Sequence, residues 1–424
     1  MLTAIVGVNW GDEGKGRMVD LLSSQYEVVV RYQGGNNAGH TVINDSGKFI
    51  LNLLPSGILR KTTVNVMGNG MVIDLEHLYH EIQSLQEKGI HIGLDNLKIS
   101  DKATICMPYH KLLDELEEDR LGDAKFGSTR RGIAPVYADK YMKKTLRMGD
   151  LLSPDTLPHK VAQIVEWKNL TIQGGYQRKP IQAEDMLQWL QKYGEPILNC
   201  VCDTTQFLTE AAKTKNILFE AQLGALRDID FGIYPFTSSS STIAAYAPLG
   251  AGIPGHTLDE VVGIVKAYSS CVGEGPFTAE LFGADGDALR EAGGEYGAAT
   301  GRPRRVGGFD AVASRYGAFV QGATCLALTK LDVLSYMEQI PVCVAYEVDG
   351  IRTDTFPTGD RLVRAKPIYE YLEGFHCDIS QCRTFDDLPK AAQEYIRYVE
   401  NAVGCPVRYV SVGAERDAYI VLES

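Results

Sequence analysis

The chain has 424 residues, 45% of them hydrophobic and 23% charged, with a formal net charge of −12. That content excludes a disordered polypeptide and allows a large core, in one elaborated α/β domain or in several smaller ones. The acidic balance excludes a general polyanion-binding surface, so no nucleic acid is expected as a partner and any phosphate site must be local. The nine cysteines are scattered, odd in number and without zinc-ribbon spacing, which fits reduced thiols. The start "MLTAIVGVNW" has no basic n-region or cleavage site, and no apolar run approaches the roughly 18 residues of a membrane helix. A soluble, cytoplasmic protein with no membrane partner is expected.

In chain order, "LTAIVGV" is a short β-rich run ending near a glycine loop, followed by the helix-like "RMVDLLSSQ" and a second strand, "EVVVRY". That is the opening of a phosphate-binding α/β unit. Further strands are predicted at "TVNVMG", "NILFEAQ", "TCLALTKLD", "IPVCVAYEV" and "VRYVSVG". Helices are predicted over 74–88, 108–119, 183–193, 257–268, 313–321 and 388–403. Many strands are apolar throughout, as a parallel sheet covered on both faces requires. The predicted fold is therefore α/β: a large, mainly parallel central sheet with flanking helices, a P-loop-like phosphate site and smaller lobes. Residues 1–424 are expected to form one domain with inserted lobes. The glycine-rich stretch 270–312 is expected to form mobile loops around a site.

The stretch "GDEGKG", residues 11–16, nearly spells a Walker loop, but Gly16 stands where the motif has Ser or Thr. In that motif backbone N–H groups cradle phosphates, the lysine reaches them and the hydroxyl sits on magnesium. Without the hydroxyl, the nearest hard oxygen ligand is Asp12. A plain turn with surface carboxylates is the alternative. A second cluster, "YQGGNNAGHT" at 32–41, combines glycines and asparagines suited to a backbone-donor nest with a histidine, His40.

With "WGDEGKG", "RYQGGNNAGHT", "LNLLPSGIL", "YPFTSSSST", "EYGAATGRPRR", "TKLDVL" and "SVGAERD" in this order and spacing, essentially the whole chain resembles the adenylosuccinate synthetases. The resemblance implies a GTP-dependent ligase of purine biosynthesis with Mg²⁺ as cofactor. GTP phosphorylates the 6-oxygen of inosine monophosphate, and the amine of L-aspartate then displaces the phosphate. It implies catalytic roles for Asp12 as base at purine N1, Lys15 and His40, and metal binding by Asp12 and the carbonyl of Gly39. GTP would be held by Gly14, Lys15, Gly16, Gly39, His40, Thr41, Arg304, Lys330, Asp332, Ser411 and Gly413. The acceptor nucleotide would meet Asp12, Asn37, Thr129, Lys143, Gln222, Leu223, Ser238 and Arg302, and aspartate Ala298, Ala299, Thr300 and Arg302. A homodimer is implied, with Lys143 reaching the neighbour's acceptor site.

Several positions depart from the resembled pattern. Leu223 stands where the family has a glutamine that meets the purine's N1/O6 edge, and Gln222 is displaced by one residue, so it substitutes only if the backbone bulges. Arg130 replaces a glycine, Lys143 an arginine, Ala299 a threonine, and Cys271 an arginine. These leave three functions open: the ligase using inosine monophosphate, a paralogous ligase joining aspartate or a similar amine to another purine-like nucleotide, and a nucleotide-binding regulator without turnover.

Overall fold

The computed structural model describes residues 1–44, 47–297, 301, 303–415 and 417–422. A ten-stranded sheet has the order Tyr419–Val421, Val407–Ser411, Cys325–Thr329, Glu260–Lys266, Leu2–Gly7, Ile217–Gly224, Val28–Arg31, Val64–Met67, Leu97–Ser100, Val201–Cys202. Every pair in it is parallel except Tyr419–Val421 with Val407–Ser411. The α/β class expected from the sequence is thus observed.

The central position of Leu2–Gly7 follows from its composition, because all six residues are buried. Ala4 and Val6 pack on one face with Val28, Val30 and Phe219. Ile5 packs on the other with Met18, Val19, Leu218 and Val262. Alternate side chains of a strand point to opposite faces, so a run buried at every position is covered on both.

A second sheet forms around Gln339–Val348, which pairs in parallel with Phe309–Asp310 and antiparallel with Ile351–Thr353 and Lys366–Glu373. The predicted strand at 340–348 therefore exists but belongs to this smaller sheet. Two ribbons flank the main sheet, the hairpin His40–Asn44 with Gly47–Leu51 and the pair Ser269–Cys271 with Arg305–Gly307.

Five predicted helices are present at Leu75–Glu87, Pro108–Leu121, Ala183–Gly194, Ala311–Gln321 and Lys390–Val403, and "RMVDLLSSQ" is helical from Lys15 to Leu22. The helix predicted over 257–268 is wrong: Glu260–Lys266 is a strand beside Leu2–Gly7. Val261, Val262, Ile264 and Val265 are all buried, and a short, β-branched apolar run has no periodicity that separates strand from helix. The expectation of loops over 270–312 also needs correction, since the segment holds the helix Gly283–Gly293 and the strand Arg305–Gly307. The helices Ile133–Met142 and Leu157–Asn169 and the strand Leu97–Ser100, next to the edge strand Val201–Cys202, were not predicted. Among the described residues no helix is long and apolar enough to cross a membrane, and all nine cysteines are free thiols.

The segments 8–14, 32–39, 225–227, 330–332 and 412–415 each leave the carboxyl end of a parallel strand. Ligands of open α/β sheets bind at that edge. The helix Ala311–Gln321 closes onto it: a Cβ at Gly317 would lie 1.9 Å from the carbonyl oxygen of Val8. An alanine for glycine in a helix ordinarily stabilises by up to about 1 kcal/mol. Here Gly317→Ala is expected to destabilise by about 1–3 kcal/mol through overpacking, read from urea unfolding. A stabilised variant would show that helix and loop separate freely.

Candidate functional site

The loop after Leu2–Gly7 turns through three residues with left-handed backbone, Gly11 (φ 101°), Asp12 (φ 61°) and Gly14 (φ 98°). Glu13 braces it from inside. Its Oε1 accepts the N–H groups of Asn9 (3.1 Å) and Gly11 (2.8 Å), and its Oε2 pairs with Lys15 Nζ at 2.7 Å, both side chains being buried. A Cβ at Gly7 or Gly224 would come within 2.6 or 2.7 Å of this carboxylate, so two glycines make its room. The two acidic residues of the motif therefore divide: Glu13 is internal structure, while Asp12 is exposed and meets Arg304 Nη2 at 3.0 Å.

Gly16 has an equally local cause. A Cβ there would sit 2.7 Å from His40 Cβ and 3.5 Å from His40 Nδ1. The room that a Walker hydroxyl would use is filled by the root of His40. The imidazole Nδ1 lies 3.0 Å from Glu220 Oε1, and Glu220 also accepts from Ser56 N (2.8 Å) and Ser56 Oγ (2.9 Å). Burial, with Arg31 and Lys15 nearby, holds the His40 pKa well below its ordinary value. Burial pushes Glu220 up, opposed by Arg31 and by the Ser56 hydrogen bonds. His40 Nε2 is buried without a partner. An unpaired buried nitrogen is costly, and a ligand oxygen would relieve it.

The nest at 33–39 is tied down by Gln222, which accepts from Gly35 N (3.2 Å) and donates to the carbonyls of Gly35 and Ala38 (2.9 Å each). The backbone does become irregular beside it: pairing jumps from Ile5 with Glu220 to Gly7 with Gly224, and Leu223 has φ 65°. Yet the Gln222 amide is committed to the nest. Leu223, half-buried, faces Gly11, with its Cδ2 3.7 Å from the place of a Cβ there. Asn37 Oδ1 accepts weakly from Gly35 N at 3.3 Å. Ser238 Oγ lies 3.0 Å from Ser240 Oγ, which donates to Gln33 Oε1. Thr129 is exposed, Arg130 turns away to Asp119 (2.9 Å), and Lys143 stands exposed just past the helix Ile133–Met142.

A second pocket gathers Lys330, Asp332, Ser411 and Gly413 at the ends of Cys325–Thr329 and Val407–Ser411. Asp332 Oδ1 is buried and unpartnered, and burial raises its pKa against the pull of Lys330 and Arg17. Arg17 frames the pocket. It donates to Ser411 Oγ (3.1 Å), Gly413 O (2.6 Å) and the carbonyl of Glu415, and lies over the Tyr419 ring at 4.5 Å. Its place two residues after Lys15, on the first helix, was the available signal, and sequence reasoning passed over it.

Glu295 was missed too. Fully buried, it accepts from Lys266 Nζ (2.7 Å) and Tyr268 OH, and pairs with Arg304 Nη1 (2.8 Å) and Lys330 Nζ (3.3 Å). Burial alone would raise its pKa, but Lys266 and Lys330 hold it well below the usual carboxylate range. One carboxylate thus joins the arginine that meets Asp12 to the lysine of the second pocket. Ala298, Ala299, Thr300 and Arg302 lie outside the described residues, as does the side chain of Thr41, whose backbone pairs with Ile50.

The family model for adenylosuccinate synthetase matches residues 4–420 of the chain. The adenylosuccinate synthetase of Nostoc punctiforme is 44% identical over 421 residues, covering 99% of this chain and 94% of that protein. That of Streptococcus gordonii is 44% identical over 422 residues, covering 99% and 98%. The structure of fully ligated adenylosuccinate synthetase from Plasmodium falciparum superposes with a TM-score of 0.92 at 35% identity over 99% of both chains. The cyanophage S-2L succinoaminodeoxyadenylate synthetase, bound to dGMP and dATP, shares the fold at a TM-score of 0.62 and 17% identity, over 100% of this chain and 95% of that one.

The Glu295 cluster is open to direct test. Glu295→Gln leaves Lys266, Arg304 and Lys330 facing a neutral amide, and breaking a buried ion pair from one side costs about 3–5 kcal/mol. Chemical denaturation should show a loss of that size. A loss below about 1 kcal/mol would mean that the cations find other partners.

Proposed function

Because the chain belongs to the adenylosuccinate synthetase family, we propose that the loops at the carboxyl edge of its main sheet carry that family's two-step ligation, residue by residue as follows. The enzyme is a GTP-dependent ligase of purine nucleotide biosynthesis that joins L-aspartate to the 6-position of inosine monophosphate. The purine 6-oxygen is an amide oxygen and a poor leaving group, so it is first phosphorylated. The aspartate amine then forms the new bond to C6 as the C6–O bond to phosphate breaks.

The observation that carries the assignment is the division between Glu13 and Asp12. Glu13 neutralises Lys15 within the buried loop, while Asp12 is left exposed at the edge where a purine N1 proton can be taken. No group of three or more His, Cys, Asp or Glu side chains that could hold a metal occurs among the described residues. Mg²⁺ needs only one or two carboxylates together with substrate phosphates, and Asp12 is an exposed carboxylate at this edge. Asp12 and the Gly39 carbonyl would hold it, and bound there it would neutralise phosphate charge.

His40 acts at the transferring phosphoryl group. In the free site its low pKa leaves it neutral, and an arriving phosphoryl anion favours the protonated ring, with Nδ1 steadied by Glu220 and Nε2 donating to a phosphoryl oxygen. Asp332 receives the guanine N1–H and 2-amino group on its unpartnered oxygen. Arg304, anchored to Glu295 by one nitrogen, offers the other to the incoming nucleotide and so releases Asp12. Asn37, Thr129 and Ser238 line the acceptor site. Residues 1–424 act as one unit in a homodimer whose partner receives Lys143, a proposal supported by the exposure of the neighbouring Tyr141 (75%) and Met142 (52%).

Purified enzyme should release GDP and form adenylosuccinate only with GTP, inosine monophosphate, L-aspartate and Mg²⁺ present together. Asp12→Asn should lower turnover by about 10²–10⁴-fold, the range of a lost general base; a loss below about tenfold would remove Asp12 from that role.

Leu223 offers the purine's N1/O6 edge no hydrogen bond, and Gln222 is held by the nest. Leu223→Gln should therefore raise kcat/KM for inosine monophosphate by about tenfold or more. An unchanged value alongside a severe Gln222→Ala would show that the Gln222 amide leaves the nest to meet the purine.

A further inference from the structure

Cys271 ends the strand Ser269–Cys271 at a position where the family carries arginine, and it is 1% exposed. It packs in an apolar cluster with Trp10, Leu226 and Phe277, yet its sulfur has a polar partner. It accepts a hydrogen bond from Arg227 Nη2 at 3.1 Å. The same guanidinium donates to the carbonyls of Val272 (2.5 Å), Phe236 (2.5 Å) and Glu274 (3.1 Å). An arginine at 271 with its Cγ in the place of the sulfur would run its stem into the Arg227 head, which lies 3.1 Å from that sulfur.

We propose that Arg227 supplies, from the turn after Ile217–Gly224, the guanidinium that relatives place at 271, and that it is a positioning residue for the acceptor and aspartate sites. What it holds argues for that role. The Arg227 carbonyl accepts from Ser238 N (2.8 Å) while its side chain binds Phe236 O, so main chain and side chain together set the 236–238 segment. Its bonds to Val272 and Glu274 fix the segment after Cys271, whose strand pairs Cys271 with Arg305 at the end of the aspartate loop. Glu274 in turn abuts the 127–129 loop, its Cγ lying 2.9 Å from the place of a Cβ at Gly127. A planar fork with several donors can gather carbonyls from separate segments, which a point charge cannot. Its side-chain hydrogen bonds, among the described residues, go to 236, 271, 272 and 274 and do not involve the second pocket.

The proposal rests on the assignment of Ser238 and Thr129 to the acceptor nucleotide, and a mutant cycle separates the two. Arg227→Leu, Cys271→Arg and the double variant are compared for KM of inosine monophosphate, L-aspartate and GTP, and for thermal unfolding. Arg227→Leu should raise KM for inosine monophosphate and aspartate by about tenfold, with GTP changed by less than about twofold. Cys271→Arg alone should also be impaired, because its stem then runs into the Arg227 head. The double variant should return to within about threefold of the parent enzyme in KM, and above both single variants in unfolding temperature. A double variant no better than the worse single one overturns the relocation. An equal rise in the KM of GTP overturns the positioning role. If Arg227→Leu does not fold, recovery of folded protein by the added Cys271→Arg supports the relocation and continued failure overturns it. Ser238→Ala, assayed in parallel, reports on the acceptor assignment alone: an unchanged KM there, beside a coupled cycle in stability, would refute that assignment and leave the relocation standing.

Discussion

The site hangs on one buried carboxylate. Glu13 sits at the end of the central strand with its two oxygens shared among Asn9 N, Gly11 N and Lys15 Nζ. Burying it is tolerable only because both oxygens find donors and the charge finds a cation. A Cβ at Gly7 would meet the Leu223 carbonyl and this carboxylate, and one at Gly224 on the neighbouring strand the Asn9 carbonyl and this carboxylate, so main chain and Glu13 together require glycine at both places. The irregular pairing between those strands, and the left-handed Leu223 within it, occur where the carboxylate must be accommodated. With Glu13 turned inward, the adjacent Asp12 is directed outward, and the loop presents one acid rather than two.

Around that brace the charges are arranged in two separate groups. On one side Arg31, Glu220 and His40 share a water-poor region in which the histidine is kept neutral until an anion arrives. On the other, Glu295 draws Lys266, Lys330 and Arg304 together. A chain with a net charge of −12 thereby gathers cations at the carboxyl edge of its main sheet. Lys266, Lys330 and Arg304 are each held by Glu295 before any ligand comes, which limits the rearrangement binding requires. Gly16 belongs to the same economy of space, since the hydroxyl it lacks would collide with the His40 side chain.

Much of the fold was legible locally. The runs "VVV" at 28–30 and "AIV" at 4–6 are apolar at every position, and only a strand covered on both faces satisfies them. The segment 257–268 defeated the same logic because "EVVGIVK" is short and has no period, and only its seat between Leu2–Gly7 and Cys325–Thr329 makes it a strand. The helix Gly283–Gly293 was hidden for the opposite reason, its glycines imitating a loop while Leu289 packs into a core contributed by distant residues.

By itself the sequence determined the glycine loop "GDEGKG", the nest that carries His40, the turn "TKLD" and the order in which they follow strands, because each depends on residues close together in the chain. It also determined the departures at Leu223 and Cys271. Only the tertiary structure decided what those departures mean. Gln222 is withheld from the acceptor edge by carbonyls at 35 and 38, Arg227 meets Cys271 across 44 residues, and Glu295 collects a lysine 29 residues before it and another 35 residues after it. Side-chain chemistry fixes what a residue can bond to, but which partner comes within 3 Å is set by how the strands are ordered in the sheet, and that order is a property of the packed whole.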